Sequence, residues 1–193
     1  MRKALFETIK IENGKVFNLE WHNKRLNKSR LELFGEKNDL QLEDYIAPPP
    51  KGLFRCRVLY NAKILSVNYF PYTVKTIKNF KIVKSHIDYH LKYDDRSELN
   101  KLLEDALNYD EIIIEKNGLL TDTTIANIAF FDGEDWVSPI TPLLEGTTRA
   151  RLVKEGFLKL KEIKKENIKN YSHFALMNAM IGFQIQKSIN IRQ

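Results

Sequence analysis

The sequence holds a single cysteine, Cys56, in 193 residues, so no disulfide can form within the chain and a reducing, cytoplasmic setting is the default expectation. Histidine is scarce too. His86 and His90 are four apart, but no third ligand stands at metal-binding spacing, and no metal site is expected. No apolar run approaches the length needed to span a bilayer. The start, MRKALFETIK, alternates like a strand and lacks the apolar segment of a secretory signal. Neither a repeat nor a low-complexity linker interrupts the chain. These absences exclude a disulfide-stapled module, a zinc finger and a membrane-spanning helix bundle.

The composition is that of an ordinary globular protein, 43% hydrophobic and 29% charged, and the length suits one domain or two small lobes. The net charge of +6 raises the question of a nucleic-acid partner, because KTIKNFKIVK at 75–84 interleaves lysines with apolar residues. That stretch also alternates like a half-buried strand, and the 25 acidic residues are spread along the chain. A solvated lysine-rich face explains the charge, and a basic cleft for an anionic cofactor and substrate is compatible with it. The expected partner is a small amino substrate, not a nucleic acid or a membrane.

In chain order, Lys3 to Glu12 reads as a strand, Asn13-Gly14 as a tight hairpin and Lys15 to Leu19 as the return. From Glu20 the pattern turns helical, with Trp21, Leu26, Leu31 and Phe34 near one face and Gly35 as the stop. A short helix from Asn38 to Ile46 is expected before Pro48-Pro49-Pro50. A second hairpin, Gly52 to Tyr60 and Lys63 to Phe70, and a strand from Thr73 to Val83 complete an N-terminal lobe. Beyond Leu91, Asp94 or Asp95 is placed to cap a helix from Ser97 to Leu107. Strands follow at Glu111 to Glu115, Leu119 to Asp122 and Ala126 to Phe131, then a helix after Gly146 that Gly156 stops. The run KLKEIKKENIKN reads as a solvated helix or connector, His173 to Met177 as a strand, and Gly182 as a turn.

Three features carry chemistry. A lysine amine, here Lys92 in HLKYDDR, forms a Schiff base with an aldehyde cofactor and afterwards moves protons. A pyridine ring acts as an electron sink while its nitrogen stays protonated, and Asp122 is the candidate carboxylate. A phosphate needs backbone N–H groups and hydroxyls at a helix start, which Gly146-Thr147-Thr148 supplies. Read for chemistry alone, these remain one possibility beside a surface lysine and an ordinary turn.

The order of motifs resembles that of the class IV, fold-type IV pyridoxal-phosphate enzymes, which include aminotransferases and aminodeoxychorismate lyase. The pieces are LFETIKIENGKVFNLEWHNKRL, HLKYDDR, YDEIIIEKNGLLTDTTIANIAFF, LLEGTTRARL and HFALMNAM, in family order over nearly the whole chain. The resemblance implies pyridoxal 5'-phosphate as cofactor, Lys92 as the Schiff-base lysine and Arg25 of His-x-x-Arg-Leu as a phosphate ligand. It places Thr147, Thr148, Asn178 and Ala179 around the phosphate, and Asp122 where the family usually has glutamate. It further implies an α+β fold in two lobes, residues 1–86 as a sheet with helices and 87–193 as a barrel-like β lobe carrying the lysine, and a homodimer. Compact length and the Phe6-Glu7-Thr8 opening resemble the lyases. A class IV aminotransferase, a cofactor-free degenerate fold and a nucleic-acid-binding module stay open as alternatives.

Overall fold

The computed structural model describes residues 4–187 and 190–192. The architecture is α+β, with one antiparallel sheet, one large mixed sheet and few helices. The chain divides into two compact units, the first reaching Val74 and including Leu91–Asp95, the second built from Lys75–His90 and Arg96 onward. That division departs from a simple cut after residue 86. The five residues around Lys92 join the first unit because their backbone pairs with its first strand.

In the first unit, β1 (Leu5–Glu12) and β2 (Lys15–Val16) are joined by Asn13-Gly14 at φ values of 49° and 79°, the left-handed pair a two-residue hairpin demands. Helix α1 (Leu19–Phe34) follows, and β3 (Leu53–Tyr60) and β4 (Ile64–Pro71) complete a sheet of order β2-β1-β3-β4. β1 pairs with β3 along its whole length, with Thr8 opposite Arg57 and Ile9 opposite Cys56. Leu5, Ile9, Ile11, Leu26, Cys56, Val58 and Tyr60 form the core. Burial pushes the free Cys56 thiol up to about 12, which removes it from thiolate chemistry.

Two expectations need correction here. The buried stripe of α1 is His22, Leu26, Ser29 and Arg30, while Leu31 is half exposed. Arg30 is buried because its guanidinium donates to the carbonyls of Ala62 and Asn38, so polar contacts set the inner face. The helix expected over 38–46 shrinks to a single 3-10 turn, Leu42–Asp44. Side chains of α1 take its backbone instead, Asn27 accepting from Leu40 N and Asn23 from Leu42 N, each at 2.9 Å.

The second unit contains β5 (Asn79–Lys84), α2 (Ser97–Glu104), β6 (Glu111–Lys116), β7 (Leu119–Thr123), β8 (Asn127–Phe131) and β9 (Trp136–Pro139). It continues with α3 (Thr147–Lys154), β10 (Leu158–Lys161), β11 (His173–Asn178), β12 (Gly182–Gln186) and β13 (Asn190–Arg192). The sheet runs β10-β9-β8-β7-β6-β5-β13, and β11 joins it beside β8 with β12 outside. One edge of β8 serves two strands in succession: β7 meets it only at Asp122–Asn127, and β9 meets it at Phe130 and Phe131. The chain between β9 and α3 returns to that β7–β8 junction, where Leu144 bonds Asp122 and Asn127. Phe80, Ile113, Ile128, Phe130 and Phe174 fill the core.

Several boundaries differ from the sequence expectation. Residues 73–78 are not strand, and α2 stops at Glu104 with Leu107 exposed. No side chain caps α2, and Asp94 pairs with Arg57 instead. The lysine-rich run opens as the end of β10, parallel to β9, before a 3-10 turn at Lys165–Asn170. Among the described residues no helix is long and apolar enough to cross a membrane.

Candidate functional site

The predicted residues fall into two groups, Arg25 and Lys92 in the first unit, and Asp122, Thr147, Thr148, Asn178 and Ala179 in the second.

Lys92 is fixed through its backbone. Phe6 N donates to Lys92 O at 3.0 Å, Leu5 bridges Tyr93, and Asp94 N donates to Ala4 O at 2.9 Å, so three consecutive residues lie along the start of β1. The Lys92 ammonium sits over the Phe6 ring, 4.7 Å from its centroid. The Arg57 guanidinium lies 4.5 Å from the same centroid and pairs with Asp94.

Arg25, in the second turn of α1, is gripped by Glu7. Its Nε donates to Glu7 Oε1 at 2.9 Å and its Nη2 to Oε2 at 2.6 Å, the parallel fork that fixes a guanidinium plane. His22 Nδ1 lies 2.6 Å from Glu7 Oε2. Glu7 has no exposed surface; burial alone would push its carboxyl up, but Arg25 and His22 outweigh burial and hold it at about 2. Burial lowers His22 against the pull of Glu7, so a neutral ring with its proton on Nδ1 donates to the carboxylate. Glu7 and His22 escaped the sequence reading. Their signal was present: Leu5, Glu7, Ile9 and Ile11 share the inward face of β1, and a carboxylate in that row requires a buried cation.

In the second unit, Asp122 is buried, with Oδ1 accepting from Asn127 Nδ2 and Oδ2 from Leu144 N, both at 2.8 Å. Burial pushes its carboxyl up to about 6 against the lowering effect of those donors and of Arg149. Asn127 also donates to Leu144 O at 2.8 Å. Asn127 thus ties β8 to the approach of α3. A Cβ on Gly146 would fall 1.9 Å from Asn127 Oδ1, so only glycine fits there. Thr147 and Thr148 open α3 and are buried, and no side chain caps the helix. Its first backbone N–H groups therefore make no hydrogen bond to a capping side chain. Arg149, also buried, donates to Pro139 O at 2.6 Å and anchors the first turn of α3 to β9.

Asn178 ends β11. Its Oδ1 accepts from Met180 N and Ile181 N at 2.9 and 3.0 Å, and its Nδ2 donates to Ile125 O at 3.3 Å. The side chain therefore shapes the turn holding Ala179 and touches the loop between Asp122 and Asn127. Glu111, unforeseen from sequence, holds that loop from below, accepting from Thr124 Oγ1 at 2.8 Å.

Among the described residues no group of three histidine, cysteine, aspartate or glutamate side chains is arranged to hold a metal. His90 Nδ1 instead lies 2.7 Å from Asp88.

Residues 89–189 match the profile of the amino-transferase class IV family. A Haemophilus influenzae protein, named only as uncharacterized, is 40% identical over 184 residues, covering 92% of this chain and 98% of that one. A Haemophilus somnus crystal structure provisionally named 4-amino-4-deoxychorismate lyase is 38% identical, with a TM-score of 0.86, covering 94% of this chain and 98% of that one. A hypothetical aminotransferase from Mycobacterium tuberculosis, in its PLP-bound form, shares the fold at 13% identity and a TM-score of 0.75, covering 96% and 81%.

Proposed function

The chain belongs to the amino-transferase class IV family, whose members depend on pyridoxal phosphate, and we propose that this one is a lyase converting aminodeoxychorismate to 4-aminobenzoate and pyruvate. The observation that carries this reading is the 38% identity, over nearly the full length of both chains, to the provisionally named lyase. The Phe6-Glu7-Thr8 segment points the same way. The reading places the enzyme in folate synthesis and in the cytoplasm, as a homodimer.

The residues present fit the cofactor. A pyridinium N–H needs an acceptor, and an ionised Asp122 offers lone pairs beyond those taken by Asn127 and Leu144. A phosphate suits the uncapped start of α3 at Thr147 and Thr148, and within the first unit the Arg25 guanidinium, fixed by Glu7, is by its own chemistry a phosphate-binding group. Asn178 supports this site by shaping the turn around Ala179. When bound, the group supplies an electron sink for negative charge developing beside the substrate nitrogen.

Lys92 would serve twice, as the amine that would hold the cofactor and as the base that would take the ring proton of the substrate. Loss of that proton makes the ring aromatic as the C–O bond to the enolpyruvyl group breaks. The departing enolate takes a proton at its methylene carbon and becomes pyruvate, which balances the proton lost from the ring. No electrons enter or leave, so no oxidant is required. Asp122 is one methylene shorter than the glutamate usual in the family, and both of its oxygens are held in place by N–H donors.

The test is to incubate the purified enzyme with aminodeoxychorismate and follow both products, and to trap the lysine-linked cofactor with borohydride. Equal amounts of 4-aminobenzoate and pyruvate, with label on Lys92, are expected. Amino transfer from leucine or D-alanine to a keto acid, without 4-aminobenzoate from aminodeoxychorismate, would make it a transaminase. Protein that refuses the cofactor would be the degenerate fold.

A further inference from the structure

In the second unit, β7 and β8 pair only at Asp122 and Asn127. The turn between them closes on itself: Thr123 N donates to Ala126 O at 2.9 Å, and Thr123 Oγ1 accepts from Ala126 N at 3.0 Å. Asp122 and Asn127 are held face to face, and the Asn127 side chain takes over where the strand pairing stops. Its amide nitrogen donates to Asp122 Oδ1 and to Leu144 O, each at 2.8 Å, the two bonds an NH2 group can make. Leu144 N donates to Asp122 Oδ2 at 2.8 Å and closes a ring of three partners, two residues ahead of Gly146. On its other side the amide is pressed against Gly146, where a Cβ would lie 1.9 Å from Oδ1 and 3.1 Å from Cγ. Asn127 and Asp122 are both buried, so these bonds form away from bulk solvent.

We propose that Asn127 is the positioning residue of this site: its amide orients the Asp122 carboxylate and holds it in register with the start of α3, so one side chain sets both the ring-nitrogen acceptor and the phosphate turn. This rests on reading Asp122 and Thr147-Thr148 as the two ends of a pyridoxal phosphate site, and adds what fixes one against the other. It also gives the amide a chemical task. Burial drives Asp122 toward its neutral form, which cannot balance a pyridinium charge. Asn127 opposes burial first, followed by Leu144 N, the Arg149 guanidinium on α3 and Leu143 N.

Ionisation of Asp122 in the cofactor-free protein is read from the side-chain carboxyl resonance of 13C-aspartate-labelled protein, assigned by its absence in D122N. N127A should raise the midpoint by about 1 pH unit, the loss of one charge-assisted hydrogen bond. G146A displaces the amide with Asn127 still present and should raise it as well, so the question stays open to test if N127A does not fold. The double variant should show no further rise. A parental midpoint in either single variant would reduce Asn127 to a strut between β8 and α3 and overturn the proposal. Pyridoxal then probes the ring end. At pH 6, near the parent midpoint, N127A should bind it about fivefold more weakly, the ratio of ionised fractions for midpoints one unit apart, and the gap should narrow by pH 8. A raised midpoint with an equal gap at both pH values would remove Asp122 from the ring nitrogen and leave the orientation of the carboxylate by Asn127 standing. A parent that binds no pyridoxal and no pyridoxal phosphate would remove the cofactor reading, with the midpoints still deciding the role of Asn127.

Discussion

At the scale of single residues, the Glu7–Arg25 pair shows how a buried charge is made tolerable. Neither group would enter this core alone, and their bidentate geometry with His22 behind it satisfies both. Arg25→Ala should lower affinity for pyridoxal phosphate about ten- to hundredfold while leaving affinity for phosphate-free pyridoxal nearly unchanged. The ratio of the two dissociation constants is the measurement, and a parental ratio would take Arg25 away from the phosphate. Glu7→Gln keeps the shape but removes the charge that matches the guanidinium, at a cost of about 3 to 5 kcal/mol in unfolding free energy. The arginine was visible in the sequence through its motif. Its partner was hidden because strand alternation was read for hydrophobicity, and the one carboxylate in the apolar row passed as a strand residue.

Among the elements, the hairpins and α3 were legible because their ends are written in glycine and asparagine: Asn13-Gly14 and Asn117-Gly118 carry the positive φ values those turns require. β10 and β12 were not, since three of the four residues of β10 are exposed and none of β12 is buried, leaving no apolar periodicity to read. The start of α3 holds a different kind of information. Gly146 has φ −69° and ψ 142°, open to any residue, so glycine is there for space and not for conformation. Gly146→Ala should push Asn127 off Asp122 and Leu144 and cost about 1 to 3 kcal/mol, the usual range for overpacking. In the background of Asn127→Ala, where the clashing oxygen is gone, the same glycine substitution should cost nearly nothing. Additive losses in that double-mutant cycle, measured by denaturant unfolding, would show that the crowding lies elsewhere.

For the whole molecule, two buried carboxylates pull stability in opposite directions with pH. Glu7 is held at about 2, below its ordinary 4.5, so its contribution is fully present above pH 4.5 and is lost as pH falls toward 2. Asp122 is raised from 3.8 to about 6, so between those values the folded chain binds more protons than the unfolded chain. Stability contributed by Asp122 is therefore present below pH 3.8 and is lost as pH rises through 6. Each shift corresponds to about 3 kcal/mol, at 1.36 kcal/mol per unit. Without cofactor, these two groups together favour folding most near pH 4 to 5, with an acid limb from the first unit and a neutral limb from the second. Asp122→Ala should flatten the neutral limb and spare the acid limb, as read from unfolding free energies at intervals between pH 3 and 8. A fall of the same size between pH 4 and 7 in that variant would assign the neutral limb to another group. With pyridoxal phosphate bound, a cation on the ring nitrogen would favour the ionised Asp122, so the neutral limb of the parent should also shrink as cofactor is added. That change links the strain of a buried aspartate in the empty protein to the charge it is proposed to hold during turnover.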